Sequence, residues 1–132
     1  MAQIPDDFKD LLTNKPAFAN LATVMKDGTP QVTPVWVDFD GTHVLINTAA
    51  GRLKDKNMSA RDQVGLSVSD PENPYRYLGI QGKIVGRTEE GADAHIDKMA
   101  MRYMGKEKYP FRADGEVRVL FKIEPLKVHT MG

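Results

Sequence analysis

Arg52, Lys54 and Lys56 stand at alternate positions just after the apolar run Val44-Leu45-Ile46 and the small-residue stretch Asn47-Thr48-Ala49-Ala50-Gly51. Leu53 to Arg61 then has helical character, so the segment reads as strand, turn and helix start. A helix N-terminus already carries partial positive charge and unpaired N–H groups, which favours acids there, and these cations do the reverse. An anionic group resolves the conflict. A phosphate suits it: backbone N–H groups from Ala50 to Leu53 could point at it, Arg52 could bind it bidentately, and Lys54 could add a point charge. A solvated helix face accounts for the same charges. Arg52 and Lys56 are four apart and share a helical face, whereas Lys54 lies nearly opposite, so convergence requires the helix to begin late.

Other chemistry is sparse. His43, His95 and His129 fall on three different predicted elements with no carboxylate at ligand spacing, which argues against a metal site or an acid–base triad. The chain has no Walker loop, no Gly-x-Gly-x-x-Gly fingerprint, no Gly-x-Ser-x-Gly elbow and no cysteine. Any hard chemical step must therefore be carried by a bound group that the chain holds and orients. With 18 Lys+Arg against 18 Asp+Glu, the chain lacks the electrostatic footprint of a nucleic-acid or anionic-membrane binder. Its 132 residues, 41% hydrophobic and 27% charged, suit a single domain over 1–132 with a real core. No signal-peptide pattern opens the sequence and no run approaches a membrane span, so a cytoplasmic protein is expected.

The elements that must position these residues follow from periodicity. Pro5 to Asn14 is expected as a short amphipathic helix with Phe8, Leu11 and Leu12 on its apolar face. Ala17–Met25, Gln31–Phe39 and His43–Thr48 read as strands separated by the Asp27-Gly28 and Asp40-Gly41 reversals, an antiparallel meander. Pro34 makes its strand an edge or a bulged one, unless the proline is simply tolerated. Trp36, the lone tryptophan, suits core filling, a dimer contact or a ring platform. A helix over Leu53–Asp62 leads to a fourth strand at Val64–Ser69, a loop at Asp70–Pro74 and a fifth strand at Tyr75–Val85. Gly79 and Gly82 within that strand suggest tight bends or close backbone approach, as in a curling sheet. Gly91–Met104 is a helix with Ala92, Ile96, Met99, Ala100 and Tyr103 on one face. Glu116–Glu124 alternates as a sixth strand, stopped by Pro125. The expected fold is mostly β with peripheral helices, a six-stranded antiparallel barrel.

Three blocks carry a resemblance. Ala22-Thr23-Val24-Met25 continues through Asp27-Gly28 to Pro30-Gln31-Val32-Thr33-Pro34-Val35-Trp36; Ile46-Asn47-Thr48-Ala49 continues through Gly51-Arg52 and Lys54 to Asn57-Met58; and Asp70-Pro71 continues to Asn73-Pro74-Tyr75-Arg76-Tyr77. Together they resemble the flavin/deazaflavin oxidoreductase family, the pyridoxamine 5'-phosphate oxidase-like split β-barrels, over nearly the whole chain. The resemblance implies a homodimer with cofactor sites at the subunit interface. It places Thr33, Pro34, Val35 and Trp36 along the cofactor ring, with Asn47 and Thr48 flanking it. Arg52 and Lys54 would hold the cofactor phosphate, with Lys56 and Asn57 as weaker candidates, and Tyr75, Arg76 and Tyr77 would reach across from the partner subunit. The Gln-Val-Thr-Pro-Val-Trp and Asn-Pro-Tyr-Arg-Tyr blocks are most similar to the branch that uses reduced coenzyme F-420, with FMN as the alternative. A true pyridoxamine-phosphate oxidase is disfavoured, because Glu124 to Gly132 has no counterpart of the basic C-terminal segment such enzymes use.

Three functions follow for testing. The first is hydride transfer from reduced F-420 to a conjugated small-molecule acceptor such as an enone or quinone, with solvent, Tyr75 or Tyr77 supplying the proton. The second is an FMN-dependent oxidoreductase on the same barrel. The third is a non-catalytic flavin or deazaflavin carrier, which the missing acid–base residues permit.

Overall fold

Each Asp-Gly reversal makes a hairpin, but the strand between them does not stay whole. The computed structural model describes residues Met1–Gly132. β1 (Ala19–Val24) pairs antiparallel with β2 (Pro30–Val35), and β3 (Asp38–Phe39) pairs with β4 (Val44–Ala49). The expected strand over 31–39 breaks at Trp36-Val37, so there are seven strands rather than six and no meander. The remaining strands are β5 (Gln63–Asp70), β6 (Asn73–Thr88) and β7 (Arg118–Met131), in the sheet order β2-β1-β5-β6-β7-β4-β3.

That order forces the sheet to curl. β2 and β3 are its two edges, yet Trp36 and Val37 alone join them. Three Cα–Cα steps reach at most about 11 Å. Seven strands laid flat would hold their edges about 29 Å apart. The sheet must therefore roll into a half-barrel, the split β-barrel, with the 36–37 link holding its edges together. Pro34 is then harmless, because an edge strand has N–H positions that no ladder needs.

Two further departures have local causes. β7 runs through Pro125 because a bulge sits there: Gly82 faces Pro125 while Gln81 faces Lys127, leaving Leu126 unpaired. Gly82 is required at this kink, since a Cβ on it would lie 2.5 Å from Ile123 Cγ2 and 3.2 Å from the Glu124 carbonyl. The expected 70–74 loop is instead a tight hairpin in which Asp70 pairs with Asn73 across Pro71-Glu72. The Asp70 carboxylate holds that turn by accepting from the Glu72 N–H at 2.9 Å.

The barrel interior is apolar, with Leu21, Ile46, Val68, Leu78, Phe121 and Ile123 all fully enclosed. The N-terminal segment, a 3-10 turn (Asp6–Phe8) and α1 (Asp10–Thr13), adds Phe8, Leu11 and Leu12 to the same core. α2 (Leu53–Ala60) lies against β1 and β4, and α3 (Ala92–Met104) lies against β4 and β7. α3 buries Ala92, Ile96, Met99 and Ala100, the apolar face read from its spacing. No helix is long and apolar enough to cross a membrane.

Candidate functional site

A groove opens where β2 ends, β4 turns into α2, and the loop after α3 enters β7. Pro34, Val35 and Trp36 form one wall; Asn47 and Thr48 of β4 lie beside them; Arg52 and Lys54 come from the start of α2. The far wall is Ile96 of α3, with Tyr109, Phe111 and Arg118, and Phe18 completes the rim. It encloses about 580 Å³ including its open mouth.

α2 begins late enough for the cations to converge. Arg52 has extended backbone (φ −66°, ψ 159°) and stands just before the helix, so it is not tied to helical spacing. Arg52 and Lys54 both reach the groove, whereas Lys56 projects to solvent away from it. Three of the four amides of the expected cradle are already engaged. Ala50 N–H donates to the Val117 carbonyl at 2.7 Å, Gly51 N–H to Asp55 Oδ2 at 2.8 Å, and Arg52 N–H to the Ala49 carbonyl. Asp55 is the acid in the first turn of α2 and neutralises its amide end, with Arg87 paired to it at 3.0 Å. An anion here would be held mainly by side chains.

The side chains are poised for it. Burial, then the charges of Arg52 and Arg118, push the Lys54 ammonium below its ordinary value. Lys54 has no acidic partner, while Arg52 and Arg118 share Glu116, at 3.5 and 3.3 Å. The Thr48 hydroxyl is buried without any hydrogen-bond partner. Such an orphan costs about 1–3 kcal/mol and is rare in folded chains. The oxygen is wholly enclosed, so a ligand in the groove would reach it only after the neighbouring side chains shift.

The remaining expected site residues lie elsewhere. Thr33 is one residue short of the groove lining. Asn57 is buried and bonds Thr23 Oγ1 at 3.0 Å and the Met25 sulfur, tying α2 to β1. Arg76 grips Asp10 at 2.7 Å and Asp70 at 3.0 Å and lies over the Phe8 ring, so within this chain it fastens the N-terminal segment to the β5–β6 hairpin. Tyr75 is exposed on that hairpin and Tyr77 half-buried, neither lining the groove.

Arg118 is the groove residue the periodicity conceals. It alternates with Val119 on β7 and so reads as an outward, solvated side chain, but α3 and the following loop cover it to 3% exposure. One histidine does meet a carboxylate: His95 Nε2 lies 3.0 Å from Asp38 Oδ2, a pairing across 57 residues that local spacing does not reveal.

A split β-barrel with a cationic groove at a strand–helix junction is the class that this fold and site define. The sequence over residues 4–132 matches the family described as Pyridoxamine 5'-phosphate oxidase, and the chain belongs to that oxidoreductase family. A solved structure of an F420 reductase is 33% identical, with 96% of this chain and 98% of that one covered and a TM-score of 0.83. The conserved hypothetical protein Rv2991 from Mycobacterium tuberculosis is 19% identical over 99% of this chain and 86% of that one, with a TM-score of 0.71. HupZ of Group A Streptococcus is 19% identical over 97% and 94%, with a TM-score of 0.66. The last two show the shared fold alone. No curated protein matches the sequence.

Proposed function

We propose that this chain is an oxidoreductase that binds reduced coenzyme F-420 in the groove and delivers a hydride to a conjugated, electron-poor small molecule. The observation that carries this reading is the convergence of three cations on one cavity, Arg52, Lys54 and Arg118, with the single carboxylate of Glu116 among them and no acid on Lys54. The family membership and the 33% identity to an F420 reductase support a flavin-type coenzyme and favour the deazaflavin.

When bound, the coenzyme supplies the hydride. The chain's own work is binding and alignment. Arg52, Lys54 and Arg118 present three cations to an anionic tail, and Val35 and Trp36 offer apolar surface to a flat ring. Completing the reduction takes one proton per hydride. This protomer's own Tyr75 and Tyr77 lie outside its groove, so within one protomer the proton comes from solvent.

The working unit is proposed to be a homodimer with the groove at its interface. Val32 is 60% exposed on the β2 edge and Phe111 is 64% exposed at the groove rim, surfaces a second copy would cover. A second reading, FMN as the coenzyme, is favoured by the family description. Fluorescence titration of both coenzymes side by side separates the two, followed by turnover with enones and quinones. Saturable F-420 binding with acceptor-dependent oxidation is expected. A yellow, FMN-loaded protein with no affinity for F-420 would replace the first reading with the second.

A further inference from the structure

Arg118 is an almost fully enclosed cation, and its surroundings are ordered with unusual completeness. Its Nη1 donates to Glu116 Oε2 at 3.3 Å, its Nε donates to Asn47 Oδ1 at 2.9 Å, and its guanidinium lies 5.0 Å from the centre of the Tyr109 ring. Nη2 has no protein partner, on a side chain that lines the groove. One nitrogen of the fork is left for a ligand.

The Asn47 amide cannot turn over. Its Nδ2 donates to the Ala92 carbonyl at 2.8 Å, so a flip would set oxygen against oxygen there and NH2 against the Arg118 N–H. The same Nδ2 lies 3.1 Å from His95 Nδ1, which must therefore accept. His95 Nε2 then carries the hydrogen and donates to Asp38 Oδ2 at 3.0 Å. Asp38 is itself held by Arg102 on Oδ1 at 2.6 Å and by Lys98 on the shared Oδ2 at 3.3 Å. A single assignment of donors and acceptors satisfies the whole chain Asp38–His95–Asn47–Arg118.

We propose that His95 is a positioning residue for the groove, acting through Asn47 to hold the Arg118 guanidinium so that its free nitrogen meets the anionic part of the bound coenzyme. The imidazole suits this role because its two nitrogens bridge Asp38 and Asn47 rigidly, one donating and one accepting. Without it Asn47 keeps its Ala92 bond but loses the second acceptor, and the amide that orients Arg118 loosens. Asp38 stays anchored by Arg102 and Lys98. The inference rests on the reading that the groove takes an anionic coenzyme.

A double-mutant cycle on the full chain tests it, with His95→Leu, Arg118→Met and the pair, titrated with F-420 by fluorescence and with inorganic pyrophosphate by calorimetry. His95→Leu should weaken both probes about tenfold when Arg118 is present, because its effect passes through the guanidinium. Added to Arg118→Met, it should weaken them less than about twofold further. His95→Gln, which keeps an amide donor for Asp38 and a carbonyl for Asn47, should recover most of the loss. Equal weakening in both backgrounds would mark a structural role and overturn the proposal. Should pyrophosphate show the coupling while neither F-420 nor FMN binds, the positioning role stands and the coenzyme reading falls. Nitrogen NMR of the unsubstituted protein needs no variant: a hydrogen on His95 Nδ1 in place of Nε2 would refute the chain directly.

Discussion

Tyr103 stacks on Trp36 with ring centroids 5.0 Å apart and planes 11° from parallel, and its hydroxyl ties down the link that closes the barrel. That hydroxyl donates to the Ala17 carbonyl at 2.7 Å and accepts from the Val37 N–H at 3.0 Å. Burial, partly offset by the Val37 N–H, raises the Tyr103 phenol above its ordinary value and keeps it a donor. Tyr103→Phe keeps the stack but strands both backbone groups. It should cost about 1–3 kcal/mol in urea unfolding. A loss under about 0.5 kcal/mol would show that the 36–37 link does not depend on this hydroxyl and is held by packing and by Arg102, which donates to the Val37 carbonyl at 2.7 Å.

Burial of the Lys54 charge costs the free protein stability, which the proposed coenzyme binding would offset. Its folded pKa lies below the unfolded value of 10.5, so the folded state disfavours the charged form. The unfolded chain binds more protons in the interval between the two values, and stability rises with pH there. Lys54→Met should remove that rise, leave the free protein at least as stable at pH 7, and weaken F-420 binding about tenfold or more. Thermal melts at pH 7 and 9.5, run beside a titration, check both halves. Unchanged affinity would remove Lys54 from the site.

Local pattern revealed the hairpins, the three helical segments and the groove's cationic corner, because turn chemistry and apolar spacing act over a few residues. The break at Trp36-Val37 was not legible: Val35-Trp36-Val37 is apolar throughout and holds no turn former, and the two halves part because of which strands they join, a tertiary choice. Pro125 misled for a related reason, since a bulge admits a proline that an even ladder would refuse. At the site, Arg52 and Lys54 were marked by conflict with the helix end, whereas Arg118 carried no such mark. Its significance comes from α3 covering a strand face that alternation alone assigns to water. Asp55 escaped notice among the lysines, although a carboxylate three residues after Arg52 is where a helix start engages its own amides.

Acid should loosen the N-terminal segment first. The Glu72 N–H and then Lys15 hold the Asp70 carboxyl down to about 2, against 3.8 unfolded. Burial alone would raise Asp38, but hydrogen bonds from His95 and Arg102 outweigh it and lower that carboxyl too. For both, the unfolded state takes up protons first as pH falls, so their stabilisation is complete above about pH 4 and declines towards pH 2. Asp70→Asn should flatten that decline and release Arg76 from one of its two carboxylates. Urea midpoints at pH 5, 4 and 3 measure the slope; identical slopes for the two proteins would contradict the assignment.

Thr48 offers the sharpest separation of folding from binding. Its hydroxyl is enclosed without a partner while its methyl packs in β4, so Thr48→Val removes a liability and keeps the shape. The free protein should gain about 1 kcal/mol in stability, as expected when an unsatisfied buried group is replaced by an apolar one. If the hydroxyl is kept for a ligand, coenzyme affinity should fall by about 2- to 10-fold, the worth of one neutral hydrogen bond. Gain in both quantities would mean that the groove's ligand does not touch Thr48. The cationic end, Arg52, Lys54 and Arg118, would then be the part of the groove that does the holding.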